Sequence, residues 1–155
     1  GAGAPKIEID ATGLQVAIVV TSWHTDITDG LLAGAERALQ KAGNDTYEIW
    51  RVPGAFELPI VAKACAASSD FDVVVALGVV IRGGTPHFEY VCEAATRGVQ
   101  EAQMSTGVPV MFGVLTLNTE QQAIDRSGPG IDNKGDEAAI GAVEMALLLK
   151  TIRNY

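Results

Sequence analysis

A glycine pair followed by threonine, proline and histidine is the part of this chain best suited to chemistry. Gly83 and Gly84 let backbone N–H groups approach a ligand closely. Thr85 is predicted to cap a helix and Pro86 to occupy its first position, so free amides and the positive end of the helix dipole meet there. Such a place binds anions, phosphate included. His87 lies beside it, where the dipole favours the neutral imidazole that accepts a proton.

The elements that must position this loop alternate between strand and helix. Apolar, β-branched runs predict strands at Leu14–Thr21, Thr46–Val52, Asp72–Val80 and Val108–Leu115. Helical spacing and capping residues predict helices at Asp26–Ala42, Phe56–Ala67, Pro86–Thr106, Thr119–Arg126 and Asn133–Ile152. This order predicts an α/β protein, a flavodoxin-like three-layer α/β/α sandwich with a four-stranded parallel sheet in the order 2-1-3-4.

Length and composition narrow the class of protein. The 155 residues fit a single domain over 1–155, and 48% hydrophobic residues supply its core. The formal net charge of −8 argues against a nucleic-acid partner, and no apolar run is long enough to predict a membrane span. Cys65 and Cys92 are predicted to be buried free thiols, which indicates a cytoplasmic protein. With two histidines in the chain, no metal site is expected.

Ligands of such sheets bind beyond the carboxyl ends of the strands, where strands 1 and 3 diverge. The topology brings Ser22–His24, Pro53–Glu57 and Ile81–His87 to that place. Trp23 is either a platform for a heteroaromatic ring or a core or interface tryptophan, and the two interpretations are equally supported. Glu57 either binds the hydroxyls of a sugar or polyol or only favours the dipole of its own helix.

Four further side chains have two interpretations each. Arg126 and Lys134 are phosphate ligands or, as the residues alone favour, ordinary surface charges. On this topology neither lies near the strand-3 loop, so a role there requires another subunit. Arg82 either contacts phosphate or, as the residues favour, forms a structural ion pair. His24 is either a second acid–base group or, as the residues favour, a solvent-facing loop histidine. Together, the candidate residues indicate proton transfer on a small phosphorylated substrate, with a place for an aromatic ring.

From about Val16 to Met145 the chain resembles the 6,7-dimethyl-8-ribityllumazine synthase family. The motifs that carry the resemblance are Ser22–His24, Pro53–Pro59, Ala76–Phe88, Phe112–Thr116, Asn118–Arg126 and Asn133–Gly135. The family condenses 5-amino-6-(D-ribitylamino)uracil with 3,4-dihydroxy-2-butanone 4-phosphate to 6,7-dimethyl-8-ribityllumazine, releasing phosphate and water. This is the penultimate step of riboflavin biosynthesis, and the resemblance implies no metal or organic cofactor.

The resemblance implies a binding site for the pyrimidine ring and its ribityl chain. Trp23 would stack on the ring. The ribityl chain would be held by Glu57 and by the backbone around Ala55 and Phe56. The segment Val80–Ile81 would contact the edge of the ring.

The resemblance also implies a phosphate site and a proton shuttle. Gly84–Thr85 would hold the phosphate together with Arg126 of an adjacent subunit. His87 would move protons during imine formation, phosphate elimination and ring closure. Phe112, otherwise a core or interface residue, and Lys134 would also come from the neighbour.

A homo-oligomer is implied as well, because the family forms pentamers with sites between subunits, and some pentamers assemble into an icosahedral shell. The segment 1–13 is predicted to be an arm, in which Lys6–Ile9 adds a strand to a neighbour's sheet. The short loop after Arg126 favours the shell.

Two positions depart from many relatives, which have asparagine at His24 and a polar or acidic residue at Gly84. The alternatives are a flavin- or lumazine-binding carrier on the same fold and a riboflavin synthase of related fold.

Overall fold

Four parallel strands form the centre of the molecule in the computed structural model, which describes residues 9–130 and 132–154. They are β1 (Val16–Thr21), β2 (Glu48–Val52), β3 (Val73–Ile81) and β4 (Val110–Leu117), in the order β2-β1-β3-β4. The α-helices are α1 (Thr25–Lys41), α2 (Leu58–Ala67), α3 (His87–Thr106), α4 (Glu120–Asp125) and α5 (Lys134–Arg153), and a 3₁₀ turn covers Ala55–Glu57. The predicted flavodoxin-like sandwich and its strand order are confirmed.

Helices cover both faces of the sheet, and this explains the unbroken apolar runs of the central strands. In β1, Val16, Ile18 and Val20 pack in the layer of α1 and α5, whereas Ala17 and Val19 pack in the layer of α2 and α3. Every side chain of the strand is therefore buried, as in parallel sheets generally. Among the helices of the described residues, none is long and apolar enough to cross a membrane.

The segment between Arg126 and Lys134 is fixed at its base by Asn133. This side chain is buried, and its Nδ2 donates to the carbonyl oxygens of Gly30 and Gly128, both at 2.9 Å. Its Oδ1 accepts from the N–H of Asp136 at 3.1 Å, which caps α5. One asparagine thus joins α1, the connecting segment and the start of α5.

The start of α3 differs by one residue from the prediction. Pro86, rather than Thr85, occupies the N-cap position, with φ −68° and ψ 0°, and no side chain caps the first turn. The carbonyl oxygen of Pro86 accepts from the N–H groups of Glu89 at 3.1 Å and Tyr90 at 3.5 Å. Because proline satisfies the backbone angles of either position, the sequence did not separate them, and the N-cap prediction for Thr85 is wrong.

Two smaller predictions are also adjusted by the structure. Cys65 is buried as expected, but Cys92 is half-buried; both thiols are free. The capping box of α4 is confirmed, with Thr119 Oγ1 accepting from the N–H of Gln122 at 3.2 Å. The predicted strand Lys6–Ile9 lies outside the described residues except for Ile9, which packs against the α1 and α5 layer.

Candidate active site

The carboxyl ends of β1 and β3 open into a cavity of about 480 Å³, here called the Trp23 cavity. It is lined by Thr21, Trp23, His24, Gly54, Ala55, Phe56, Glu57, Val79, Val80, Ile81, Gly83, Thr85, His87, Phe88 and Val91. The three segments that the topology predicted to converge do so here. The volume is in the usual range for a small-molecule site.

Trp23 is held as an open platform rather than as a core residue. Its N–H and that of Ser22 both donate to the carbonyl oxygen of Pro53, at 3.1 Å each. A side chain on Gly54 would bring its Cβ within 2.6 Å of indole atoms Cε3 and Cζ3. The indole therefore lies directly on the Gly54 backbone, and 63% of the tryptophan surface remains exposed. This geometry excludes the core interpretation and suits stacking on a ring.

Glu57 has a structural role at the turn that follows β2. Its Oε2 accepts from the N–H of Gly54 at 3.1 Å, so it caps its own 3₁₀ turn. The same half-buried side chain lines the cavity next to Ala55, which is buried, and Phe56, which is exposed. A carboxylate fixed in this way presents hydrogen-bond acceptors to hydroxyl groups in the cavity.

His87 is the first residue of α3, and it faces the Trp23 cavity together with Gly83 and Thr85. Gly84 lies in the same exposed loop but does not line the cavity. A Cβ on Gly84 would meet nothing within 4 Å. The glycine found here in place of a polar residue is therefore not a steric requirement of the loop.

Arg82, the cation nearest to the glycine pair, is already engaged. It forms an ion pair with Glu89, its Nε donates to Asn118 Oδ1 at 2.8 Å, and its guanidinium lies 4.4 Å from the centre of the Phe88 ring. The hydrogen bond from Arg82 lowers the pKa of the Glu89 carboxyl. The predicted structural ion pair is confirmed.

A second cavity, here called the Arg126 cavity, opens at the end of β4 with a volume of about 510 Å³. It is lined by Val114, Leu115, Thr116, Leu117, Asp125, Arg126, Asp132, Lys134 and Glu137. Arg126 Nη1 donates to the carbonyl oxygen of Gln122 at 2.8 Å. Lys134 donates its N–H to the carbonyl oxygen of Arg126 at 2.9 Å, and its Nζ lies 3.4 Å from Glu137 Oε1. The backbones of the two cationic residues are thus joined, and both side chains line this cavity.

The comparisons with known proteins agree with one another. A family model described as 6,7-dimethyl-8-ribityllumazine synthase matches residues 13–150. A protein of that name from Clavibacter sepedonicus is 57% identical over 99% of this chain and 98% of its own length. Similar proteins from Kineococcus radiotolerans and Leifsonia xyli are 53% and 55% identical, over 98% and 99% of this chain and 95% and 98% of their own lengths.

The chain belongs to the 6,7-dimethyl-8-ribityllumazine synthase family. It is accordingly an enzyme of riboflavin biosynthesis that makes this lumazine, and the prediction from its motifs is confirmed.

Besides Gly84, three of the site residues expected for a lumazine synthase do not line the Trp23 cavity. Arg126 and Lys134 line the second cavity. Phe112 is half-buried on β4 and packs against the α2 and α3 layer. A single chain does not bring these side chains to His87, in agreement with the prediction from topology.

Two side chains at or next to these cavities were not predicted to contribute to them. Thr21 lines the Trp23 cavity with a buried hydroxyl group. Asn133 sets the position of the two cations through contacts with α1. Its place before an apolar helix is a signal for a cap, but its bond to Gly30 spans 103 residues and has no local signal.

Proposed function

We propose that 5-amino-6-(D-ribitylamino)uracil and 3,4-dihydroxy-2-butanone 4-phosphate condense in a composite site, formed by the Trp23 cavity of one subunit and the Arg126 cavity of its neighbour. The observation that carries this proposal is the engagement of Arg82 by Glu89, Asn118 and Phe88. The Trp23 cavity therefore needs a cation from another subunit to bind the phosphate group. Among the described residues, no carboxylate forms an ion pair with Arg126.

In this proposal the Trp23 cavity binds the pyrimidine substrate. The exposed indole of Trp23 stacks on the ring, and Val80–Ile81 contact its edge. Glu57 and the backbone of Ala55 and Phe56 hold the ribityl hydroxyls. This assignment of the pyrimidine substrate is supported because all these groups line one cavity, and the volume of that cavity fits a ring with a short polar chain.

The phosphorylated substrate lies at the mouth of the same cavity. Gly84–Thr85 present backbone amides to the phosphate at the start of α3, and Arg126 and Lys134 of the neighbour neutralise its charge. Phe112 of the neighbour closes the ring site. The two substrates are then held with amine and ketone adjacent, and proximity supplies most of the rate.

His87 moves the protons of the reaction. The amine attacks the ketone and water leaves, which gives an imine, and phosphate is then eliminated. The second nitrogen adds to the remaining carbonyl, and loss of a second water closes the ring. Each step transfers a proton at an atom near the start of α3. A neutral imidazole accepts the first proton and returns it to the departing group.

The assembly belongs to this proposal too. The chain is a single domain over 1–155 that forms pentamers or an icosahedral shell of pentamers in the cytoplasm. β2 is an edge strand with Ile49 and Trp50 exposed, and an unpaired strand edge accepts a further strand. The arm of residues 1–13 of a neighbour would supply that strand.

Mixed assemblies test the composite site directly. His87→Gln and Arg126→Ala each damage one half of every site in a homo-oligomer. Random co-assembly of the two variants restores about one quarter of the sites, each with intact His87 from one subunit and intact Arg126 from the next. We expect co-expressed variants to exceed the mean activity of the two separate variants. Activity equal to that mean would place both residues in one subunit's site.

The reaction is followed by lumazine fluorescence together with phosphate release. A carrier of the same fold gives neither signal, and a riboflavin synthase consumes lumazine instead of forming it. These two readouts therefore also separate the alternative functions.

A further inference from the structure

Thr21 has a buried hydroxyl group that nothing in the protein satisfies. It is the last residue of β1, 1% of its surface is exposed, and it lines the Trp23 cavity. Among the described residues, none hydrogen-bonds to its Oγ1. A buried hydroxyl without a partner destabilises the folded protein, since it loses its bonds to water on folding. An unpaired hydroxyl of this kind, next to a ligand cavity, calls for a functional explanation.

The main chain around this hydroxyl is firmly held. Thr21 pairs with Val52 of β2, and its carbonyl oxygen accepts from Arg51 Nη1 at 3.3 Å. The side chain can therefore move only by rotation about its Cα–Cβ bond, which carries Oγ1 to the place of Cγ2 or of the Cβ hydrogen.

Gly78 on β3 provides the space for this side chain. A Cβ on Gly78 would lie 3.0 Å from Thr21 Cγ2, 3.4 Å from Thr21 Oγ1 and 3.1 Å from Leu58 Cδ1. Both branches of the threonine thus lie over a position without a side chain, at the inner end of the cavity. Valine has the same shape and would fill the space without an unpaired polar atom.

We propose that Thr21 is a specificity-determining residue that hydrogen-bonds the pyrimidine ring of the bound ribitylaminouracil. The inference rests on the proposed ring site in the Trp23 cavity. The hydroxyl donates to a ring carbonyl or accepts from a ring N–H, and a rotation about Cα–Cβ brings it to the ligand. The partner missing in the free protein is then supplied by the substrate. A ring without a polar group at that edge leaves the hydroxyl unsatisfied and binds less tightly.

Three variants at this position separate the hydroxyl from the methyl group. Thr21→Val keeps the shape and removes the hydroxyl, Thr21→Ser keeps the hydroxyl, and Thr21→Ala removes both branches. The dissociation constant of 6,7-dimethyl-8-ribityllumazine is measured for each variant by fluorescence titration, and Tm by thermal unfolding. Inhibition by inorganic phosphate reports on the other half of the site.

We expect Thr21→Val to raise the dissociation constant of the lumazine about 3- to 10-fold, the worth of one neutral hydrogen bond. Its Tm should be equal to or above that of the wild type, because the unsatisfied hydroxyl is gone. Thr21→Ser should bind the lumazine within about twofold of the wild type, and phosphate inhibition should be unchanged in both variants.

Unchanged lumazine affinity in Thr21→Val would overturn the inference, and so would an equal loss of affinity in Thr21→Ser, which keeps the hydroxyl. If Thr21→Val does not fold, the same decision follows from Thr21→Ala, which must lose affinity that Thr21→Ser keeps. Trp23→Ala tests the ring site itself. If Trp23→Ala loses lumazine affinity and Thr21→Val does not, the ring site stands and only the role of Thr21 is rejected.

Discussion

The two cavities at the carboxyl edge of the sheet have similar volumes and opposite chemistry. The Trp23 cavity presents an indole face, backbone groups and apolar strand ends, and its carboxylate Glu57 is bonded to a backbone N–H. The Arg126 cavity presents three carboxylates together with Arg126 and Lys134. One is suited to a ring and the other to a charged group, and the proposed function accordingly divides recognition of the two substrates between distant parts of the chain.

The division has a physical reason. A chain with net charge −8 repels an anion at long range, so a phosphate site needs cations fixed at short range. Beside the Trp23 cavity, Arg82 already forms an ion pair with Glu89, and its guanidinium lies over the Phe88 ring. Separating the cations from the ring platform keeps the platform accessible, and in the proposed function it makes the complete site depend on assembly.

The largest expected effect concerns the proton transfer assigned to the Trp23 side. His87→Gln should lower kcat by roughly 10- to 10⁴-fold, because general acid–base terms are of that size, while ligand binding stays nearly intact. The pH–rate profile should lose a limb near neutrality. His24→Gln is the matched control, since His24 lines the same cavity at the start of α1. A wild-type kcat and profile in His87→Gln would reduce His87 to a packing residue.

Next in size is the loss of the ring platform. Trp23→Ala should weaken the ribitylaminouracil by about 1–3 kcal/mol, as for base–aromatic stacking, with little change for the butanone phosphate. Trp23→Phe keeps an aromatic face and should retain most of the affinity. Calorimetric titration of each substrate separately provides the measurement, and equal weakening of both substrates would contradict the assignment of the ring to this cavity.

A smaller effect is expected on the charged side. Arg126→Ala should raise KM for the butanone phosphate about tenfold and weaken inhibition by inorganic phosphate, because a charge-assisted contact is lost. Arg97→Ala removes an exposed arginine that pairs with Glu93 on α3 and serves as the control. The measurement is steady-state kinetics with inorganic phosphate as inhibitor. If phosphate inhibits Arg126→Ala as strongly as the wild type, Arg126 is an ordinary surface charge.

The smallest effect concerns the ion pair that occupies Arg82. The pKa of Glu89 is lowered in the folded protein by its hydrogen bond from Arg82. The stabilisation is therefore present above the ordinary glutamate pKa and is lost as pH falls through the lowered value. Glu89→Gln should lower Tm slightly at neutral pH, and the difference from the wild type should shrink as pH falls below the ordinary glutamate pKa. A difference that stays constant with pH would show that the charge of Glu89 is not what stabilises the fold.

The sequence predicted the sheet order and the convergence of three segments because both follow from strand order and hydrophobic pattern. It also predicted that Arg126 and Lys134 would lie apart from His87. The contacts of Gly54 with Trp23 and of Gly78 with Thr21 join residues from different strands and turns, so no local pattern contains them. The first turn of α3 was misplaced by one residue, because Pro86 fits both positions.

The hydrogen bond between the N–H of Lys134 and the carbonyl oxygen of Arg126 closes the base of the segment that joins them. This bond holds the two ends of the segment together. Lengthening a closed loop costs only about 0.6 kcal/mol for each doubling of its length. The carbonyl oxygen of Gly128 accepts from Asn133, and Gly130 follows it in the chain. Gly130 is accordingly a suitable position at which to insert a foreign peptide for display.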